Sequence, residues 1–420
     1  ARLKNVAASV REWRSVRRLR KSPLAASILS PPATVMPAEL GGLLALLGGP
    51  MRAWLEGGDF DRSQLLALAS MCRHLVPSPR PARDSGLTLV QGPPGTGKTR
   101  IILAALNVLH FVAYQRHYES LVADMRHKLS GADAAGSAQR AQASGAGGVE
   151  GLAGLVESVE DLSRSLALKP NSHAVLPKPK ILVCAPSNAA VDHLVERLLH
   201  QKFIDGKGAM YCPTMLRVGS PEACSARVRE VTLDYQIDKL RGEVDQLEGA
   251  KARQTNALIR HSRLKHEAGV LLQRNPAGLP AGLEEQLLGA ADELTKARLH
   301  LERLEKLHRI LSGRLAGVAG RSSKGGDDDD VRDELKASLL EEAQLVFTTL
   351  SSAGLEFFGR LQRGFDTLVV DEACQAVEPA TLIPLSSFVR RCILVGDPRQ
   401  LPATVLSQSA GAAAYARSLF

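Results

Sequence analysis

The stretch LVQGPPGTGKTR at 89–100 restricts this chain to a narrow set of folds. Gly92-Pro93-Pro94-Gly95-Thr96-Gly97-Lys98-Thr99 satisfies every fixed position of GxxxxGK[ST]. The glycines let successive backbone N–H groups turn inward, and a following helix adds its positive end, so such a loop wraps phosphates. Lys98 is placed to reach the β and γ oxygens, and the Thr99 hydroxyl to coordinate Mg²⁺. A chance glycine-rich turn is the bland alternative. The flanks argue against it: LTLV (87–90) reads as a short buried strand and IILAALNVLHFVAY as an apolar helix, the order this chemistry requires.

A phosphate loop needs a carboxylate beside it. LVVDEACQ supplies one, an apolar strand that delivers Asp371 and Glu372 at its C-terminal end. In open parallel sheets the ligand sits outside the carboxyl ends of the strands. Asp371 is therefore expected to hold Mg²⁺ through water. Glu372 is expected to orient the water that attacks the γ-phosphate and to accept its proton. Acidic strand ends are common, so the pair gains its meaning from the loop. In LVGDPRQLPATV (394–405) another strand ends in Gly396-Asp397, and Gln400 follows on the loop. An amide there can hydrogen-bond the γ-phosphate and report its loss. Pro398 and Pro402 would equally suit an ordinary proline-rich turn.

Further strands are expected in KILVCAP (180–186), LRVG (216–219), QLVFTTL (344–350), FDTLVV (365–370) and CILVG (392–396). Strands separated by helical stretches indicate an α/β fold, a parallel sheet with helices on both faces. With the phosphate loop this is the RecA-like type of nucleotide hydrolase. Residues 1–30 alternate basic and apolar positions and predict one amphipathic helix ending near Pro31-Pro32; 60–76 predict another helix. From 129 to 178 the composition shifts to Gly, Ala and Ser, then Pro and Lys. That reads as a low-complexity surface insertion in which VEGLAGLVESVEDLSRSLAL could form a helix. Residues 234–314 predict two long helices joined by NPAGLPAG (275–282). In the second, Leu287, Leu294 and Leu301 recur every seven residues, interleaved with Ala290, Ala297, Leu304 and Leu311, as in a hairpin that packs on itself. GRSSKGGDDDD (320–330) reads as a flexible acidic linker.

With 420 residues the chain is long enough for two or three domains, and its net charge of +9 (53 Lys and Arg against 44 Asp and Glu) suits a polyanionic partner. Six scattered cysteines with no CxxC pair argue against a zinc knuckle and fit a reducing compartment. No apolar run reaches the roughly 18–20 residues that span a bilayer.

The ordered series FDRSQ, GPPGTGKT, CAPSNAAVDHLVERLL, LRVG, VFTTLSSAG, DEACQAVEPATLIPL and GDPRQLPATV resembles the superfamily 1 helicases, and within them the senataxin and up-frameshift group. The opening VREWRSVRRLRKSPLAASILSP favours the senataxin branch. The resemblance implies that Gln64 reads the adenine edge and that Pro186, Ser187, Asn188 and Thr349 contact the sugar-phosphate backbone of a single strand. Asp61 stands where asparagine is usual in the group. The implied layout is an N-terminal helical segment (1–59), lobe one in three pieces (60–128, 179–233 and 336–420), the low-complexity insertion (129–178), the hairpin (234–314) and an acidic linker (315–335). On this reading the chain is a first motor lobe whose second RecA-like lobe, the source of arginines for the transferring phosphate, is absent. The implied activity is ATP hydrolysis, slow in this piece alone, coupled to movement on single-stranded RNA or DNA in RNA processing or transcription termination. The implied location is the nucleus, with the cytoplasm as the up-frameshift alternative. A nucleotide-gated RNA clamp and a ring-forming ATPase are the competing classes. Intact Glu372 opposes the first, and CAPSNAAVD with GDPRQLP opposes the second.

Overall fold

The computed structural model describes residues 6–31, 40–58, 60–76, 86–140, 178–219, 224–244, 247–274, 280–318, 327–386, 389–405, 407–412 and 414–420. Helices α1 (Ala7–Arg18), α2 (Ala25–Leu29), α3 (Leu40–Leu46), α4 (Gly49–Gly57) and α5 (Arg62–Met71) precede the first strand, β1 (Leu87–Gln91). The single helix expected at the N-terminus is thus two pieces. Pro23 forces the break: it lacks an N–H and pushes the preceding residue out of helical space, and Ser22 is extended at ψ 136°.

After β1 comes α6 (Lys98–Arg140), then β2 (Ile181–Ala185), α7 (Asn188–Gln201), a small antiparallel pair β3 (Phe203–Ile204) and β4 (Met210–Tyr211), and β5 (Met215–Val218). The first part of the expected low-complexity insertion is therefore helix, a continuation of α6 as far as Arg140; the helix suggested at 149–168 lies outside the described residues. The β3–β4 turn was not anticipated. Its signal was DGKG at 205–208: the Asp205 carboxylate accepts from the backbone of Lys207 and Ala209, and Gly208 takes φ +84°.

The insertion continues as α8 (Ala226–Glu230), α9 (Leu233–Val244), α10 (Leu247–Arg274), α11 (Ala281–Val318) and α12 (Asp327–Glu342). Two corrections follow. The region expected as two helices holds three, with Gly242, a poor helix former, near the end of α9. The expected linker is largely helical where it is described. The aspartate run opens α12, as suits the positive end of a helix, and α11 extends to Val318. The hairpin itself is as the heptads imply. Leu301 and Leu304 of α11 are buried with Ala250 of α10, and Arg260 of α10 pairs with Glu293 of α11, so the two helices run antiparallel.

The chain then supplies β6 (Leu345–Thr349), β7 (Thr367–Val370), α13 (Glu378–Leu385), β8 (Arg391–Gly396) and α14 (Gln408–Ala412). The six-stranded sheet has the order β1-β8-β7-β2-β6-β5, and β1–β8, β8–β7, β7–β2 and β2–β6 all pair in parallel. Strands β2, β6 and β7 are buried along their whole length, as strands covered on both faces must be. Helix α5 packs on β1, α7 on β2 and β6, and α13 on β7. Strand β1 departs from expectation. It is an edge strand, and Leu89 is 51% exposed. The chain divides into two compact units, one formed by residues 1–215, 344–353 and 364–420, the other by 216–343 and 354–363. Among the described residues no helix is long and apolar enough to cross a membrane.

Candidate active site

Because the strands run parallel, their carboxyl ends share one edge of the sheet, and the loops that follow β1, β8 and β7 meet there. The phosphate loop leaves β1 at Gln91, and the backbone N–H of Gly92 donates to Gly396 O at 3.1 Å. Gly95 and Gly97 adopt φ +77° and +79°, which only glycine takes at no cost. Gly92 is needed for space: a Cβ there would lie 2.8 Å from Thr96 Oγ1 and 2.9 Å from Lys98 Cγ. Pro93, Pro94, Gly95 and Thr96 are exposed, while Lys98 and Thr99 form the first turn of α6 and are half-buried.

Lys98 Nζ stands 3.8 Å from Glu372 Oε1. Asp371 is buried behind it. Burial, and next the charge of Glu372, push the Asp371 carboxyl up to about 6. Such a group is relieved by a cation, and a buried carboxylate is an oxygen ligand of the kind a hard divalent ion takes. Glu372 has left-handed backbone, φ +50° and ψ 41°, and its Oε2 accepts from Gln375 Nε2 at 3.2 Å. On the far side of the loop the Asp397 carboxylate accepts from Gln400 Nε2 at 3.0 Å and from the Arg399 N–H at 3.1 Å; these bonds hold it below the usual carboxylate range.

Gln64, in the first turn of α5, donates from Nε2 to Thr96 O at 3.0 Å, which ties this helix to the phosphate loop. Asp61 caps the same helix. It accepts the Gln64 N–H at 2.9 Å while Gln64 Oε1 accepts the Asp61 N–H at 3.1 Å, a reciprocal capping box. The aspartate at this position thus has a local structural role.

A family model described as an AAA domain matches residues 59–408. Helicase sen1 of Schizosaccharomyces pombe is 32% identical over 344 residues, 80% of this chain and 17% of that protein. Helicase SEN1 of Saccharomyces cerevisiae is 28% identical over 340 residues, 80% of this chain and 13% of that protein. The probable helicase senataxin of Homo sapiens is 26% identical over 374 residues, 86% of this chain and 11% of that protein. The chain belongs to the senataxin-like superfamily 1 helicases. It spans less than a fifth of the length of each of these relatives.

The residues implied as strand contacts lie on two adjacent loops. Pro186, Ser187 and Asn188 follow β2, and Thr349 ends the neighbouring β6, where it pairs in register with Ala185. Ser187 caps α7 by accepting the Ala190 N–H at 3.2 Å, and Asn188 is exposed beside it. Thr349 is 9% exposed, and its hydroxyl donates to Ser352 Oγ at 2.9 Å. Sequence reasoning missed two residues that the site uses. Gln375 holds Glu372, and Cys374 packs its sulfur against Gly396, where a Cβ would lie only 2.8 Å from it. Both lay inside DEACQ, so adjacency to a motif was the available signal.

Proposed function

We propose that this chain is the ATP-binding lobe of an ATP-driven translocase and helicase acting on single-stranded RNA or DNA, in RNA processing or transcription termination in the nucleus. The convergence of Lys98, Asp371, Glu372 and Gln400 at the ends of β1, β7 and β8 carries this reading. The loop amides from Gly92 to Thr99 bind the phosphates, and Lys98 leaves Glu372 for the β and γ oxygens. Freed of its ion pair, Glu372 orients the attacking water and takes its proton, while Gln375 fixes its second oxygen. Thr99 and Asp371 would hold Mg²⁺, which when bound neutralises charge on the β- and γ-phosphates. Gln64 would exchange its bonds to Thr96 and Asp61 for the adenine edge, and Gln400 would turn its amide from Asp397 to the γ-phosphate. A second RecA-like lobe would supply arginines worth roughly 10³–10⁵ in rate. The loops at 186–188 and 349 track a strand by its backbone.

The test is ATP binding and turnover by the purified chain, with and without single-stranded RNA and DNA, against Lys98→Ala and Glu372→Gln. Nucleotide should bind the wild type and Glu372→Gln, and turnover should vanish in both variants. Equal turnover in wild type and Lys98→Ala, with nucleotide bound to neither, would sink the proposal.

A further inference from the structure

Helix α1 carries four arginines, of which Arg14, Arg17 and Arg18 are exposed and only Arg11 is half-buried. Arg11 Nη1 donates to both the carbonyl oxygen and Oγ of Ser351, each at 3.2 Å and across 340 residues of sequence. Ser351 lies inside a turn that Thr349 closes. The Thr349 hydroxyl donates to Ser352 Oγ at 2.9 Å and accepts the Ser352 N–H at 3.2 Å. Arg11 therefore grips the middle of the loop whose first residue is a candidate strand contact. One turn further along the same face of α1, Ser15 is 3% exposed and donates to Pro379 O at 3.1 Å, in the first turn of α13. Glu12 accepts from Tyr415 Oη. The helix is thus tied down at two points besides Arg11. Ser351 O and Oγ are two partial negative charges on a loop assigned to a polyanion, and one rigid, planar guanidinium takes up both.

We propose that Arg11 is a positioning residue for strand binding: it fixes Ser351, and through it the 349–352 turn that meets the sugar-phosphate backbone. The inference rests on the reading of Thr349 given above. Without the guanidinium, the two Ser351 oxygens are free to turn toward the strand, where they repel phosphate, and the turn loses its single conformation. The nucleotide contacts at the ends of β1, β7 and β8 involve neither Arg11 nor Ser351. Loss of Arg11 should then weaken strand binding and spare nucleotide binding.

The experiment is anisotropy of labelled single-stranded RNA and DNA across a salt series, with a parallel Mg-ADP titration, comparing wild type, Arg11→Ala, Ser351→Ala, Ser15→Ala and Thr349→Val. Strand affinity should fall roughly 3- to 10-fold in Arg11→Ala at every salt concentration, with ADP affinity within about twofold of wild type. The slope against log salt should not change, because the turn offers neutral groups that release no counterion. Ser351→Ala, which removes one of the two acceptors, should lose about two- to threefold. Ser15→Ala, which loosens α1 away from the turn, should keep wild-type affinity. Unchanged strand affinity in Arg11→Ala overturns the proposal. So does a slope shallower by about 0.7, which would make Arg11 itself a phosphate ligand. An equal loss in Ser15→Ala and Arg11→Ala also overturns it, by marking α1 as packing alone. Wild-type affinity in Thr349→Val, or a wild-type chain that holds no strand, strikes instead at the turn as a strand contact. Should Arg11→Ala fail to fold, Ser351→Ala carries the test with α1 intact.

Discussion

Glu372 is one of the described non-glycine residues with positive φ, and it is the residue to which the proposed proton transfer falls. For a residue with a Cβ, left-handed backbone costs about 1–2 kcal/mol, so the site stores strain at its reacting carboxylate. Glu372→Gly should be more stable than Glu372→Ala by about 1 kcal/mol in chemical denaturation, while both lose turnover. Equal stabilities would mean that the loop relaxes to ordinary backbone once the side chain is gone. A second residue-scale prediction concerns His110. Its Nε2 faces Gln344 Oε1 at 3.0 Å, and that oxygen also accepts the Thr214 N–H, so Nε2 carries the proton and Nδ1 accepts from Tyr211 Oη at 2.8 Å. Burial holds this imidazole below its ordinary 6.5. The unfolded chain therefore takes up a proton near 6.5 that the folded chain resists. The stability this neutral ring contributes is whole above pH 6.5 and drains away as pH falls below it. His110→Gln should flatten the slope of unfolding free energy below about pH 6.5, read from denaturant melts. Lys98, Thr99 and Glu372 were legible in the sequence because a phosphate loop and an acidic strand end have fixed local spacings. The packing of Cys374 against Gly396 was not, since it joins the loop after β7 to the end of β8.

At the scale of elements, what could be read depended on whether one local rule dominated. The heptads of α11 showed a packed stripe, and Ala290, Leu301 and Leu304 are buried as that stripe requires. Leu287 and Leu294 are only half-buried. The edge position of β1 was invisible, since an apolar run of four residues looks alike at the centre and the rim of a sheet. The break in α1 was visible in Pro23 but was overridden by the basic and apolar alternation around it. Leu304, 1% exposed between α10 and α11, supplies the prediction for this scale. Leu304→Ala removes most of a buried side chain and should destabilise the 216–343 unit by about 2–4 kcal/mol, seen as an earlier melting step. ATP affinity should not change, because Lys98, Glu372 and Gln400 all belong to the other unit. A drop in ATP affinity matching the loss of stability would show that the units do not melt or bind independently.

For the molecule as a whole, charge and loop chemistry bear on the same question, how a strand is held without being read. The net charge is +9, and the candidate strand contacts at the ends of β2 and β6 are two hydroxyls, an amide and a proline. Thr349 donates its hydroxyl to Ser352, while Ser187 only accepts the Ala190 N–H and keeps its own proton for a phosphate, and Ser187 and Asn188 are both exposed. One amide and two hydroxyls make at most a single base contact and no run of them, so affinity should come mainly from phosphates and the released counterions. Binding of labelled homopolymer strands, followed by anisotropy across a salt series, should give a log–log slope of about −0.7 for each phosphate engaged, the same for each sequence of equal flexibility. Asn188→Asp should weaken every strand alike, by placing a carboxylate against phosphate. A strong preference for one homopolymer that survives high salt would mean that bases are gripped, and the backbone-tracking account would then fail for this molecule.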